Sequence, residues 1–248
     1  GLMLTVTRPF SRVYCTPRCF QKDLGKKQIR FNGYMELSYL HPHYFTPDDS
    51  IYEHLGITPI ERYVVIRFVS WSASHDIGHT GIGLEMKRKA VREFSRYARV
   101  FISSESRLPE DLQPYRINIP PERMHDALAY ATLYYGESAT MASESAVLGT
   151  PALYLDNRGR GYTNEQEKKY GLVFNYSESL PHQEDSIRKA IELLNRPGLR
   201  QEWQNRRREM LAETIDVTAF MTWFIEAYPQ SAIIMKENPD YQERFKTG

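Results

Sequence analysis

The chain has 248 residues, 41% of them hydrophobic and 25% charged, with a formal net charge of +1. That composition belongs to a folded globular chain and excludes a disordered or collagen-like one. No apolar run approaches the ~18 residues of a spanning helix, and the balanced charge gives the chain as a whole no electrostatic case for nucleic acid.

The charge is nevertheless uneven. Arg8, Arg12, Arg18, Lys22, Lys26, Lys27 and Arg30 face only Asp23 in the first 30 residues. Two strands, Arg12 to Thr16 and Gln28 to Asn32, are expected in this region, followed by a short helix from Pro47 to Leu55 started by Asp48 and Asp49. Gly56 to Glu61 leads into a buried strand, Arg62 to Trp71, then a loop rich in Gly, Ser and His, and a helix from Leu84 to Ala98. Arg99 to Ser103 reads as the next strand. Tyr115 to Ile119 reads as another, closed by Pro120 and Pro121, with Pro121 opening a helix. A short strand, Leu133 to Tyr135, precedes a helix from Thr140 to Leu148 that Gly149 ends, and Pro151 to Leu155 is again a strand. Thr163 to Lys169 opens with the capping-box pattern Thr163 to Gln166. After a last strand, Leu172 to Asn175, come helices at Glu184 to Asn195, Leu199 to Glu213 and Val217 to Tyr228.

Strands alternating with helices predict an α/β fold: a Rossmann-like parallel sheet with helices on both faces, because parallel strands need crossovers. Ligands of such sheets sit beyond the carboxyl ends of the strands. The loops after Trp71, Ile119, Tyr135 and Leu155 are therefore the places to look for chemistry. Cys15 and Cys19 cannot make a disulfide framework, and a reducing, cytoplasmic setting is expected.

Three segments carry candidate chemistry. In YYGESATMASESAVLGTPALYLD, Tyr134 to Asp156, a strand delivers the chain into Gly136 and a helix begins near Ser138. The free N–H groups and the positive dipole end of a helix start attract an anion. Ala139 permits close packing there, and Thr140 and Glu144 lie four apart on one face. A hydroxyl near phosphates with a carboxylate a turn further on suits a nucleotide diphosphate; the same spacing also fits an ordinary capped helix with a surface Glu. A nucleophile elbow at Gly136 and Ser138 is disfavoured, because Thr140 stands where the last glycine should be and only His182 follows. The second segment, Ser70 to Gly83, offers Ser72, Ser74, His75 and Asp76 at a strand end. His75 with Asp76 could act as acid, base or phosphate donor, or be a locally bonded loop histidine. His75 and His79 stand four apart among glycines, a poor setting for a metal-binding helix. In the third segment, Asp156 to Gln166, a helix start presents Asn164, Glu165 and Gln166 to a hydroxyl-rich ligand, or simply places loop charges in solvent.

The runs DLGKKQIRFNGYMELSYLHP, RFVSWSASHDIG and GESATMASESAVLGTPALYLD, which lie within residues 15 to 175, resemble an uncharacterised prokaryotic family of GT-B-like proteins. More widely they resemble the carboxyl-terminal domain of GT-B glycosyltransferases and of the non-hydrolysing UDP-N-acetylglucosamine 2-epimerases. The epimerase helix start reads Ser-Gly-Gly with a Glu six residues after the Ser, and a Leu-Gly-x-Pro beyond. Ser138, Ala139, Thr140, Glu144 and Leu148 to Pro151 occupy those places. The resemblance implies that Ser138 to Thr140 hold a diphosphate and Glu144 the ribose. It further implies that the base rests near Ile119, that Ser72 to Asp76 face the phosphates, and that Asn164 to Gln166 meet the donor sugar. The run Ser-Trp-Ser-Ala-Ser-His-Asp replaces the epimerases' charged run, which favours a transferase or an unclassified activity over epimerisation.

The resulting expectation has three parts: residues 1–55 as the end of an amino-terminal domain and a linker, 56–215 as a nucleotide-sugar-binding domain, and 216–248 as a helical tail. Thr5 to Leu24 is read as the edge of a domain whose body lies outside this chain, and Phe220, Trp223 and Phe224 are expected to expose an apolar face. The expected function is that of the donor-binding half of a GT-B-like glycosyltransferase, moving a sugar from a nucleotide-diphosphate sugar to a glycan or lipid-linked acceptor. No cofactor or metal is expected beyond the donor. The partners foreseen are the nucleotide sugar and the acceptor, with peripheral membrane association and a homo-oligomer both admitted. An epimerase-like enzyme and a non-catalytic binding module are the alternatives.

Overall fold

The computed structural model describes residues 6–7, 9–70 and 81–246. The chain forms two compact units, one of Pro42–Glu209 and one of Gly1–His41 with Met210–Gly248. Strands β1 (Tyr14–Pro17) and β2 (Gln28–Phe31) pair in parallel, and a single turn, α1 (Leu37–Leu40), follows. The larger unit then runs α2 (Ile51–Leu55), β3 (Tyr63–Phe68), α3 (Leu84–Phe94), β4 (Arg99–Ser104), α4 (Met124–Tyr130), β5 (Leu133–Gly136), α5 (Ala139–Leu148), β6 (Ala152–Leu155), α6 (Gly161–Lys168), β7 (Val173–Tyr176) and α7 (Leu180–Leu194). After α8 (Leu199–Glu213) come α9 (Val217–Glu226) and α10 (Gln230–Glu237). Among the described residues no helix is long and apolar enough to cross a membrane.

In the larger unit five strands form one parallel sheet in the order β4-β3-β5-β6-β7. The expected α/β architecture is what the chain adopts. Tyr63 to Ile66 and the whole of β5 and β6 are buried, as strands covered on both faces must be, so they read as continuous apolar runs rather than alternating ones. Four of the largest core side chains are tyrosines, and each hydroxyl has a partner. Tyr63 donates to the Ala127 carbonyl (2.7 Å), Tyr134 to that of Ser138 (3.0 Å) and Tyr154 to Asp156 (2.5 Å), while Tyr135 pairs with Ser186 (2.9 Å). The rings bring large apolar area into the core without an unsatisfied hydroxyl, and burial pushes all four phenols up from their ordinary value.

The order matters for function. From β3 the chain passes to β4 on one side, whereas β5 pairs with β3 on the other. The carboxyl ends of β3 and β5 thus border the point where the direction of winding reverses, the usual position of a ligand crevice in open α/β sheets.

Three local expectations are corrected. Tyr115 to Ile119 is not a strand: a 3-10 turn, Glu110–Tyr115, runs into it, and its pairing is one bridge from Arg116 to Ile102 with the Ile117 N–H on the Ile102 carbonyl (2.9 Å). Pro114 and Pro120 remove N–H donors on either side, so no ladder extends. The capping box at Thr163 does not form either. The helix starts at Gly161 after Arg160, which leaves Thr163 inside the first turn with its hydroxyl donating to the Arg160 carbonyl (3.1 Å). In the smaller unit Phe220 and Phe224 are buried rather than exposed. A 3-10 turn, Pro239–Phe245, folds back so that Phe245 meets Phe220 and Trp223, and Tyr241 lies 4.9 Å from Trp223 between ring centres.

Candidate functional site

The carboxyl edge of the sheet is built around the turn from β5 into α5. At Gly136 a Cβ would stand 2.4 Å from the Arg67 carbonyl oxygen, so only glycine lets β5 run this close to β3. Ser138 follows in an extended conformation and caps α5, its hydroxyl oxygen accepting from the Met141 N–H (3.3 Å). Ala139 is half-buried and Thr140 exposed, while Ala142 to Leu148 are all buried. A helix otherwise sunk in the core therefore opens its first turn, and the N–H groups that have no partner within the helix, at the sheet edge.

Glu144 sits deeper on α5 and is 7% exposed. Its Oε1 lies 3.1 Å from Nε2 of His125 on α4, whose ring meets Phe45 edge-on at 6.0 Å. An ionised carboxylate only accepts, so the imidazole nitrogen facing it carries the hydrogen. Gln166 on α6 is fully buried, and its amide donates to Ser143 (2.8 Å), the neighbour of Glu144. The Gln166 Oε1 has no hydrogen-bond partner among the described residues, an unusual state for a buried acceptor. Asn164 and Glu165 are half-buried on α6. Ile119 is half-buried on the segment that enters α4. Ser72, Ser74, His75, Asp76 and His79 lie outside the described residues.

The residues flanking that stretch are held by acids that sequence reasoning passed over, Glu137 and Glu178 buried and Glu105 exposed. Glu137, whose side chain has no exposure, accepts from the N–H groups of Val69 (2.9 Å) and Ile82 (2.5 Å) and lies 3.5 Å from the Lys87 ammonium. Lys87 in turn stands over the Phe68 ring. Glu178 accepts from the Gly81 N–H (2.9 Å). Glu105 accepts from Ser70 (3.2 Å) and pairs with Arg67 (2.7 Å). Burial pushes the Glu105 carboxyl up, but the Ser70 N–H and the Arg67 guanidinium outweigh it and leave it below its ordinary value.

A groove of about 830 Å³ opens elsewhere on this unit, lined by Tyr52, Arg62, Tyr130, Thr132, Pro151 and Arg200 among others. Arg62, Thr132 and Pro151 each precede a strand, so the groove lies at the amino ends, away from the helix start. Its Arg62 is committed to the carbonyls of Leu194 and Tyr97 (2.7 and 3.1 Å), which makes it a structural group.

No family model and no curated protein matches the chain. Among solved structures it is similar to a UDP-N-acetylglucosamine 2-epimerase, at 14% identity over 85% of this chain and 54% of that one, with a TM-score of 0.48. It is also similar to the calicheamicin glycosyltransferase (17%, 75% and 46%, TM-score 0.44) and to the spinosyn rhamnosyltransferase with spinosyn aglycone (15%, 65% and 45%, TM-score 0.43). The chain spans about half the length of these structures. At such identities and scores the likeness does not extend to chemistry.

Proposed function

We propose that the unit Pro42–Glu209 binds a nucleotide-diphosphate sugar at the carboxyl edge of its sheet, as the donor half of a glycosyltransferase acting on a glycan or lipid-linked acceptor. One observation carries the reading: a helix buried along most of its length opens its Ser138-capped first turn at the winding reversal, with the carboxylate of Glu144 further along the same helix. On this reading the N–H groups of the first turn and the Ser138 and Thr140 hydroxyls take the diphosphate, and Glu144 accepts from ribose hydroxyls. Ile119 borders the base. Asn164 and Glu165 meet the sugar, and the fully buried Gln166 holds Ser143, the neighbour of Glu144.

In transfer, an acceptor oxygen attacks the anomeric carbon, the bond from that carbon to the diphosphate oxygen breaks, and the acceptor's proton passes to a base. The helix start stabilises the charge growing on the leaving diphosphate because its dipoles are already oriented. We assign the role of base to His75, with Asp76, and a phosphate-binding role to Ser72 and Ser74. Calorimetric titration with UDP-sugars and their GDP, CDP and ADP counterparts tests the site: one class binds, and Ser138→Ala and Glu144→Ala each weaken it by about tenfold or more. Binding by none, or equal binding by both variants, contradicts the assignment. NMR of the sugar without acceptor separates transfer from epimerisation, since only the latter alters the sugar there.

A further inference from the structure

His125 plays no part in the reading above, yet it contacts the carboxylate on which ribose recognition rests. It reaches Glu144 from a different helix, α4, and its Nε2 takes one of the two carboxylate oxygens at 3.1 Å. Its own ring is braced by Phe45, and its side chain is 32% exposed against 10% for that of Glu144, so the pair lies at the margin of the core rather than inside it.

A glutamate side chain has three rotatable bonds, and a carboxylate that must accept from two neighbouring hydroxyls does so only in a narrow range of orientations. Helix α5 fixes the Cα of Glu144 but not the rotation of its carboxylate. A hydrogen bond from a second, packed element fixes that rotation before any ligand arrives, and pre-organisation of this kind is what converts a nearby acid into a discriminating one.

We infer that His125 is a positioning residue of the nucleotide site, holding the Glu144 carboxylate in the orientation that distinguishes ribonucleoside from 2′-deoxyribonucleoside diphosphates. This rests on the nucleotide reading above. The alternative role for the pair is only to tie α4 to α5, and the two roles differ in what they do to sugar discrimination. A tie lowers stability and weakens all ligands alike. A positioning contact, when lost, brings the ribose and deoxyribose affinities together.

The test measures the affinity ratio of the best-binding nucleoside diphosphate to its 2′-deoxy analogue in the wild type, His125→Phe and His125→Gln. His125→Phe keeps a ring against Phe45 but has no donor; His125→Gln keeps a donor at similar reach. The wild type is expected to prefer ribose by about tenfold or more. The ratio falls to about threefold or less in His125→Phe and returns toward the wild-type value in His125→Gln. An unchanged ratio in His125→Phe overturns the positioning role while leaving the nucleotide site intact. Failure of the wild type to bind any diphosphate removes the site itself, and the inference with it. Should His125→Phe not fold, the His125 imidazole resonances in wild type and Glu144→Gln carry the test: they move if the pair exists in solution, and unmoved resonances overturn it.

Discussion

Glu137 places a charge where nothing of its side chain reaches solvent, and such a charge persists only when paired and hydrogen-bonded. Its partners come from opposite sides of residues 70–81: the Val69 N–H, the Ile82 N–H and the Lys87 ammonium. Removing the carboxylate strands a buried donor, a half-buried one and a cation at once. Glu137→Ala is therefore expected to lose about 3 kcal/mol of unfolding free energy in urea titrations, with Glu137→Gln losing less because one acceptor remains. A loss under about 0.5 kcal/mol, the range of an ordinary surface change, would show that these bonds do not hold the edge. The residue was invisible in the sequence for a physical reason. An acid beside a capping serine reads as surface charge, and only long-range pairing with Val69 and Ile82 reveals it as a core group. His125 is similar: nothing local to PERMHDALAYA shows that its imidazole meets Glu144, which follows 19 residues later.

At the level of elements, the path of β5 depends on a missing side chain. With the Arg67 carbonyl oxygen 2.4 Å from where a Gly136 Cβ would be, Gly136→Ala must push β5 from β3 just where the chain turns into α5. Overpacking of this sort costs about 3 kcal/mol, and because it displaces the helix start, ligand affinity falls along with thermal stability. Wild-type thermal stability in Gly136→Ala would refute the close approach. Most elements were legible because burial writes itself into composition: β3 as RYVVIRF, α5 as small residues ended by Gly149, α8 from Leu199 to Glu213 as expected. Where reading failed, a local signal competed with a tertiary one. Tyr115 to Ile119 has strand composition but prolines around it, and Thr163 has the capping pattern but lies inside a helix that begins two residues earlier.

For the whole molecule, the alternation of strands and helices was enough to give a parallel sheet, since crossover geometry leaves few other ways to cover both faces. The strand order was not legible, because periodicity shows that a strand is buried without showing beside what. Nor was the smaller unit's pairing of distant segments. The Asn32 N–H donates to Gln242 (2.6 Å) across 210 positions, and the Ile215 N–H donates to the Asn32 carbonyl (2.9 Å), contacts that no local pattern encodes. The order β4-β3-β5 sets the winding reversal beside the start of α5, and on that juxtaposition the functional reading stands. The most direct test is an amide NMR titration of the chain with the nucleoside diphosphate that calorimetry selects. The account predicts that the largest shifts fall on the N–H groups of Ala139, Thr140 and Met141, with Glu144 and His125 following. Shifts confined instead to the groove at the amino ends of the strands, at Tyr130, Thr132 and Arg200, would contradict it.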